Sequence, residues 1–365
     1  MKQRDSNLDV IRALAAFCVV MNHAAESVYA MNMEQYQMIP HSSSAFYFAA
    51  FTFGRCGVPL FLLLSGYLLL PQSYDENKIK RFYKHNFLPM LGVWELWIFI
   101  YCVFLAWYYQ MPFDVAQYIR RALFLEHAGL SHTWYMPMII GMYLFLPYVA
   151  NALKQIPWTL LSIMMLAVYV YLFIVPSVNS YQSMLQIPSN EMVYTQVDLS
   201  YGGSTYGLYL ILGYAIARCK KLLCEKKYRI AMIFTILMGG GYARTVHAQL
   251  AYFSQGIAWQ VWYNYYLMPL IGAGIFITLM NIKFPSWIER PAKRLSICSF
   301  GIYLLHDMLL MVEIKNVGVI GDKSTEVIAL AIGTYLLSYL IVEGASKIPH
   351  IGTLFLKKEI GRAHV

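Results

Sequence analysis

NLDVIRALAAFCVVMNHAAESVYA, residues 7–30, is an apolar stretch of membrane-spanning length that carries Asp9, Arg12, His23 and Glu26 within it. A bilayer core needs about 20 such residues in a helix. Charge at that depth costs several kcal/mol, so ionisable groups there face a protein interior or a water-filled cavity and mark a working site. Arg12 and His23 are eleven residues apart, about three helical turns, and therefore share a face. Along the axis that spacing is roughly 16 Å, which puts one group near each membrane surface. Such a layout suits a chemistry that starts on one side and finishes on the other.

The same reading extends along the chain. Hydrophobic residues make up 59% of the 365 and charged residues 13%, which excludes an ordinary soluble domain. Ten spans are predicted near 8–28, 50–70, 87–109, 133–151, 157–176, 204–218, 228–247, 262–281, 296–313 and 326–343. The expected fold is an all-α polytopic membrane protein, a bundle of about ten helices in one domain over 1–359. No linker and no convincing internal repeat divides it. The last six residues, IGRAHV (360–365), read as the in-frame translation of a sequencing-library adapter and are set aside.

The net charge of +9 would suit nucleic acid, but its placement points to a membrane. Of 28 Lys and Arg, 21 fall on the side that holds both termini, five on the other, and Arg12 and Arg55 within spans. The positive-inside rule then places both termini in the cytoplasm. Segments 29–49 and 177–203, predicted external, contain neither Lys nor Arg. Lys2 and Arg4 before a short apolar run resemble a signal peptide. Asp9 and Arg12 sit too close to that run, and cleavage would spoil the alternation of loop charge. The six cysteines, Cys219 and Cys224 in a cytoplasmic loop among them, show no zinc-ligand spacing and read as free thiols. No phosphate-binding glycine loop, GxSxG elbow or metalloprotease helix is present.

His23 has two readings: a general base whose ring Glu26, three residues on, would orient, or a core histidine bonded to a neighbouring helix. Asp9 and Arg12 form an i,i+3 pair that either fixes the helix or presents a guanidinium to phosphate or carbonyl oxygens. Lys78, Lys80, Arg81, Lys84 and His85 crowd the mouth of the third span. They satisfy the positive-inside rule or touch anionic lipid, or they hold a polyphosphate such as a coenzyme A. Arg55 lies in span two just before a break at Gly57 and Pro59, and broken backbone at depth is tolerated where it lines a cavity. Trp134 and Tyr135 are belt anchors or substrate contacts. His306 and Asp307 read as polar lining of span nine.

Together these segments resemble the acyltransferase 3 family of integral membrane acyltransferases, over about residues 7–356. NLDVIRALAAFCVVMNHA carries the family's Asp, Arg and membrane histidine as Asp9, Arg12 and His23. GVPLFLLLSGYLL, HTWYMPMIIGMYLFLP, YGLYLILGYAI and SFGIYLLH follow in the family's order. The chain departs from the family's denser arginine run at span three, where Lys84, His85 and Asn86 precede Phe87-Leu88-Pro89.

The resemblance implies transfer of an acyl group, acetyl by the family's habit, from cytoplasmic acyl-CoA to a hydroxyl of an extracytoplasmic carbohydrate or lipid-linked saccharide. It implies His23 as the catalytic histidine, Arg12 as a donor-site residue and the Arg81/Lys84 region as part of the CoA-binding edge; the residues' own chemistry adds Asp9 and Glu26 as orienting partners and Arg55 and Lys80 as further groups on the donor. Trp134, Tyr135 and His306 are the expected substrate contacts. No metal and no nucleic acid are expected, and the location is a bacterial cell membrane among its lipids. Segment 177–203, rich in Tyr, Asn, Gln and Ser, could select the acceptor, or be an ordinary solvated loop. The competing class is a transporter or flippase for a polar glycan or lipid-linked precursor. Its usual repeated halves with matched broken helices are not evident.

Overall fold

The computed structural model describes residues 5–29, 39–185, 187–188, 191–220, 223, 227–257, 259–317 and 323–348. Lys2, Arg4, Cys224, part of the segment 29–49 and the tail 360–365 lie outside the described residues, as do Lys221 and Lys226 of the basic loop. Among the described residues the protein is all-α, with no strand. The helices are α1 (Ser6–Tyr29), α2 (His41–Arg55), α3 (Gly57–Leu69), α4 (Glu76–Phe82), α5 (Leu88–Tyr109), α6 (Val115–Ala122) and α7 (Tyr135–Gln155). They continue with α8 (Trp158–Tyr169), α9 (Val175–Met184), α10 (Ser204–Arg218), α11 (Lys227–Ser254), α12 (Met268–Asn281), α13 (Ser286–Val317) and α14 (Lys323–Ser346).

Several of these are pieces of one continuous rod, and proline explains the joints. α4 runs into α5 through a π turn, Tyr83–Phe87, and α8 into α9 through another, Val170–Ile174. In each case a proline follows two residues later, Pro89 or Pro176. A proline offers no N–H to the carbonyl one turn back, so the ladder shifts register locally. The predicted break in span two falls between α2 and α3 at Cys56.

A helix covers the centre of each of the ten predicted spans. Seven helices among the described residues are long and apolar enough to cross a membrane: 6–29, 43–69, 76–109, 131–155, 158–184, 286–316 and 323–346. The remaining three depart for visible reasons. α10 has 15 residues, the length predicted for it, and α12 only 14, because the chain from 262 to 267 is a series of turns rather than the start of a helix. α11 is 28 residues long, but three consecutive glycines, Arg244 and His247 dilute its apolar character. The segment predicted as external at 29–49 already turns helical at His41, because Tyr47 and Phe48 bury their rings in the bundle.

α1 lies at the centre, packed against α13, α2, α3 and α14. Two close approaches set its surroundings. At Gly54 a Cβ would lie 2.6 Å from the Asn22 Cα, so the absence of a side chain lets α2 meet α1 one residue from His23. At Gly66 a Cβ would lie 1.9 Å from the Leu210 carbonyl oxygen, so α3 crosses α10 backbone to backbone. Small residues permit such crossings where lipid offers no hydrophobic drive for association. Gly66→Ala must push the two helices apart and is expected to cost about 1–3 kcal/mol, seen as a lowered melting temperature of the detergent-solubilised protein. Gly92→Ala, with open space around it, is the control and should leave the melting temperature unchanged or slightly raised.

Candidate functional site

α1 and α13 run parallel and meet at two levels. At the first, Asp9, Arg12 and Ser296 form a closed triangle. The Ser296 hydroxyl donates to Asp9 Oδ1 (2.7 Å), Arg12 donates to Ser296 Oγ (3.1 Å), and Arg12 and Asp9 stand 3.8 Å apart. At the second, eleven residues further along both helices, are His23 on α1 and Asp307 on α13. Both levels are therefore separated by roughly 16 Å along each helix.

The second level is a hydrogen-bonded group built from four elements. His23 Nδ1 lies 2.8 Å from Glu26 Oε2, one turn on along α1, and 3.1 Å from Ser131 Oγ at the start of the turn that leads into α7. Arg55, 4% exposed at the end of α2, donates to Glu26 Oε1 at 3.1 Å and to the Tyr263 hydroxyl at 3.3 Å. Its guanidinium also lies over the rings of Trp262 (4.3 Å) and Phe51 (4.5 Å). A buried charge needs a partner and hydrogen bonds to offset its lost hydration; Arg55 has both, and its fixed charge holds Glu26 as the carboxylate partner of His23.

Asp307, buried, anchors the other side. Its Oδ2 accepts from the Ser131 backbone N–H (3.0 Å), the Ser131 hydroxyl (2.9 Å) and His132 Nδ1 (3.0 Å). Because Ser131 gives its one hydroxyl proton to Asp307, its oxygen can only accept from His23. Both partners of His23 Nδ1, Glu26 and Ser131, are then acceptors, which puts the ring proton on Nδ1. Nε2 keeps a free lone pair and has no hydrogen bond among the described residues. That is the tautomer a general base requires.

His23 lines a narrow cleft together with Asn22, Gly54, His132, Trp134, Tyr135, Tyr263 and others. A water-sized sphere fits there over about 20 Å³, room for a hydroxyl or a small carbonyl group but not for a sugar ring. Trp134 packs on Tyr206 and Tyr263, both with ring centroids 5.4 Å away, and Tyr135 on Tyr303 at 5.7 Å. His306 sits behind this wall rather than in it: fully buried, with Nδ1 donating to the Tyr303 carbonyl at 2.6 Å. Its ring is 5.3 Å from that of His23 and 4.8 Å from that of His132. The three histidines with Asp307 form no cluster suited to a metal ion among the described residues.

The structure thus brings Glu26, Arg55, Trp134, Tyr135 and His306 around His23, and Asp9 with Arg12 at the other level. Arg55 joins the His23 group and shares no partner with Lys80, Arg81 or Lys84. Those three stand exposed on α4 and the π turn, where Lys80 Nζ pairs with Glu76 at 2.5 Å. Ser131, His132, Tyr263 and Ser296 were not assigned a role from sequence. Ser131 and His132 stand at the start of the SHTWYMP segment, and Asp307 beside His306, so the signal was two polar residues at the end of an apolar run. Nothing local says that they meet.

A family model for an acyltransferase domain (Acyl_transf_3) matches residues 5–343. No curated protein and no solved structure matches the chain.

Proposed function

The chain belongs to the acyltransferase 3 family, with nearly its whole length inside the family's domain, and we propose that it moves an acetyl group from cytoplasmic acetyl-CoA to a hydroxyl of an extracytoplasmic carbohydrate. The observation that carries this reading is His23. Its Nδ1 is held by Glu26 and Ser131, and its ring lines a cleft with room for one hydroxyl.

In the proposed reaction the acceptor hydroxyl enters the cleft and gives its proton to His23 Nε2 as its oxygen bonds to the thioester carbonyl carbon. The Glu26 carboxylate, held in turn by Arg55, supports the imidazolium that forms. The tetrahedral intermediate then collapses with rupture of the C–S bond, and the thiolate takes the proton back from Nε2. The products are the O-acetyl ester and free CoA. The 16 Å or so between the Arg12 and His23 levels is within reach of an extended pantetheine arm. The thioester would pass the Asp9–Arg12–Ser296 triangle while the coenzyme's phosphates rest on the exposed cations Lys80, Arg81 and Lys84. The acceptor is a surface polysaccharide or its lipid-linked precursor, and the membrane is the bacterial cell membrane.

The test is to supply acetyl-CoA and alkali-deacetylated surface polysaccharide from the producing cells to the purified protein in lipid vesicles. Free CoA thiol and alkali-labile acetate on the polysaccharide are expected to rise together. A protein that moves labelled saccharide across the vesicle wall and never releases CoA thiol is a transporter, and the enzymatic reading falls.

A further inference from the structure

The cleft at His23 is too small for the sugar whose hydroxyl it would accept, so the rest of an acceptor must be held elsewhere. A second concavity lies at the same end of the bundle, between the end of α9, residues 192–194 and the turn after α11. Its free volume is about 390 Å³, against about 20 Å³ at His23. That is within the range of small-molecule sites.

The lining of this groove is specific in kind. Tyr194 stands 66% exposed at its rim. Trp259 and Tyr252 stack with ring centroids 4.6 Å apart and planes 28° from parallel. Asn179, Ser180 and Ser183 bring polar side chains along one stretch of α9; the two serine hydroxyls donate to the Pro176 and Asn179 carbonyls and keep their oxygens as acceptors. Asn179 also fixes the rim: its amide donates to the Val193 carbonyl (2.7 Å) and its oxygen accepts from the Val193 N–H (3.0 Å). Tyr252 is buried, yet its hydroxyl has no hydrogen-bond partner among the described residues. Buried hydroxyls are nearly always paired, and this one belongs to a side chain that lines the groove. None of the described side chains that line it is charged.

The two sites share one segment. Residues 259–266 place Trp259 in the groove and Tyr263 in the wall of the His23 cleft, four residues away. Even fully extended chain would separate those two Cα atoms by no more than about 14 Å, the reach of a short oligosaccharide. Ser177 of α9 accepts from the Tyr266 backbone N–H at 3.0 Å and Tyr169 donates to the Tyr266 carbonyl at 2.9 Å, which ties the groove's floor to that segment.

We propose that the groove formed by Asn179, Ser180, Ser183, Tyr194, Tyr252 and Trp259 is a binding subsite for an uncharged saccharide unit of the acceptor, a short distance along the chain from the hydroxyl presented to His23. Aromatic faces pack on the apolar face of a sugar ring while hydroxyl and amide groups meet its rim. The absence of charge in the lining selects a neutral unit. The inference rests on the carbohydrate-acceptor reading given above.

Binding is measured directly, without the reaction. Fluorescently labelled fragments of the alkali-deacetylated surface polysaccharide are titrated against the purified protein in detergent, as native chain, Tyr194→Ala, Tyr252→Phe and the control Gly92→Ala, a position with open space around it. The two groove variants are expected to bind about two- to tenfold more weakly, the size of one aromatic or hydroxyl contact, and Gly92→Ala to bind as the native chain does. Tyr194 is exposed and Tyr252→Phe keeps the ring, so the fold survives both changes. Equal affinity of the native and groove variants overturns the subsite, and so does the absence of binding by the native chain. The acyl-transfer reading fails separately, through the absence of CoA thiol release, whatever the binding result.

Discussion

A His23→Gln protein that reaches the membrane in normal amount is expected to transfer acyl groups about 10²- to 10⁴-fold more slowly than the native chain, the usual contribution of a positioned general base. The glutamine amide is close in size to the imidazole and can still meet Glu26 and Ser131, so the helix packing around it has no reason to change. What it lacks is a basic lone pair where Nε2 stands. The native ring has that lone pair in place because Nδ1 gives its proton to Glu26 (2.8 Å) and Ser131 (3.1 Å). The measurement is the initial rate of CoA thiol release in the presence of acceptor, normalised to folded protein by size-exclusion chromatography. A folded His23→Gln protein that transfers at the native rate would remove the base from the mechanism.

The second large effect is expected at Asp307, which acts on His23 through Ser131. One carboxylate oxygen, Oδ2, receives three donors from the turn that opens α7: the Ser131 N–H, the Ser131 hydroxyl and His132 Nδ1. Asp307→Ala leaves those donors without their acceptor in a largely buried place, and should destabilise the protein by about 3–5 kcal/mol. Asp307→Asn keeps the shape and an oxygen, but replaces charge-assisted hydrogen bonds by weaker neutral ones. That variant should fold and lose about ten- to a hundredfold in kcat, since small displacements of a reacting group are costly, while KM for the acyl donor stays near the native value. Ser131→Ala, which removes only the link to His23, should move kcat in the same direction with less loss of stability. If Asp307→Asn lowers the melting temperature and leaves kcat alone, Asp307 holds the helices together and has no part in positioning the base.

Much of the membrane fold was legible in the sequence because it depends on local quantities. The length of an apolar run and the charge within it are read from neighbours in the chain, and a bilayer penalises both directly. α1 is a single helix with Asp9, Arg12, His23 and Glu26 in it, and the break in span two falls at Cys56, between Arg55 and Gly57. The departures also have local causes, though weaker ones: turns replace the start of the eighth span, and glycines with Arg244 and His247 dilute the seventh.

The grouping around His23 is another matter. His23 and Glu26 could be paired in advance because i,i+3 neighbours share a helix face. Arg55 could not be given to Glu26 from sequence, and its expected place was at the acyl donor. In the structure it meets Glu26 because α2 approaches α1 closely at Gly54. Ser131 and Asp307 are 176 positions apart in the chain. They meet because α13 lies parallel to α1, with the turn before α7 resting on both.

The sequence by itself determined that the chain is an all-α membrane protein, that its first helix carries ionisable groups on one face at two depths, and that its segments follow the order of an acyltransferase family. Only the tertiary structure decided which nitrogen of His23 is free, that Ser131 and Arg55 join Glu26 in holding its ring, and how little space lies before it. The physical reason is range. Hydrophobic and helical patterns repeat within a few residues, whereas this tautomer is fixed by a hydrogen-bond network that draws on two other helices and a turn, and it exists only once those elements have packed.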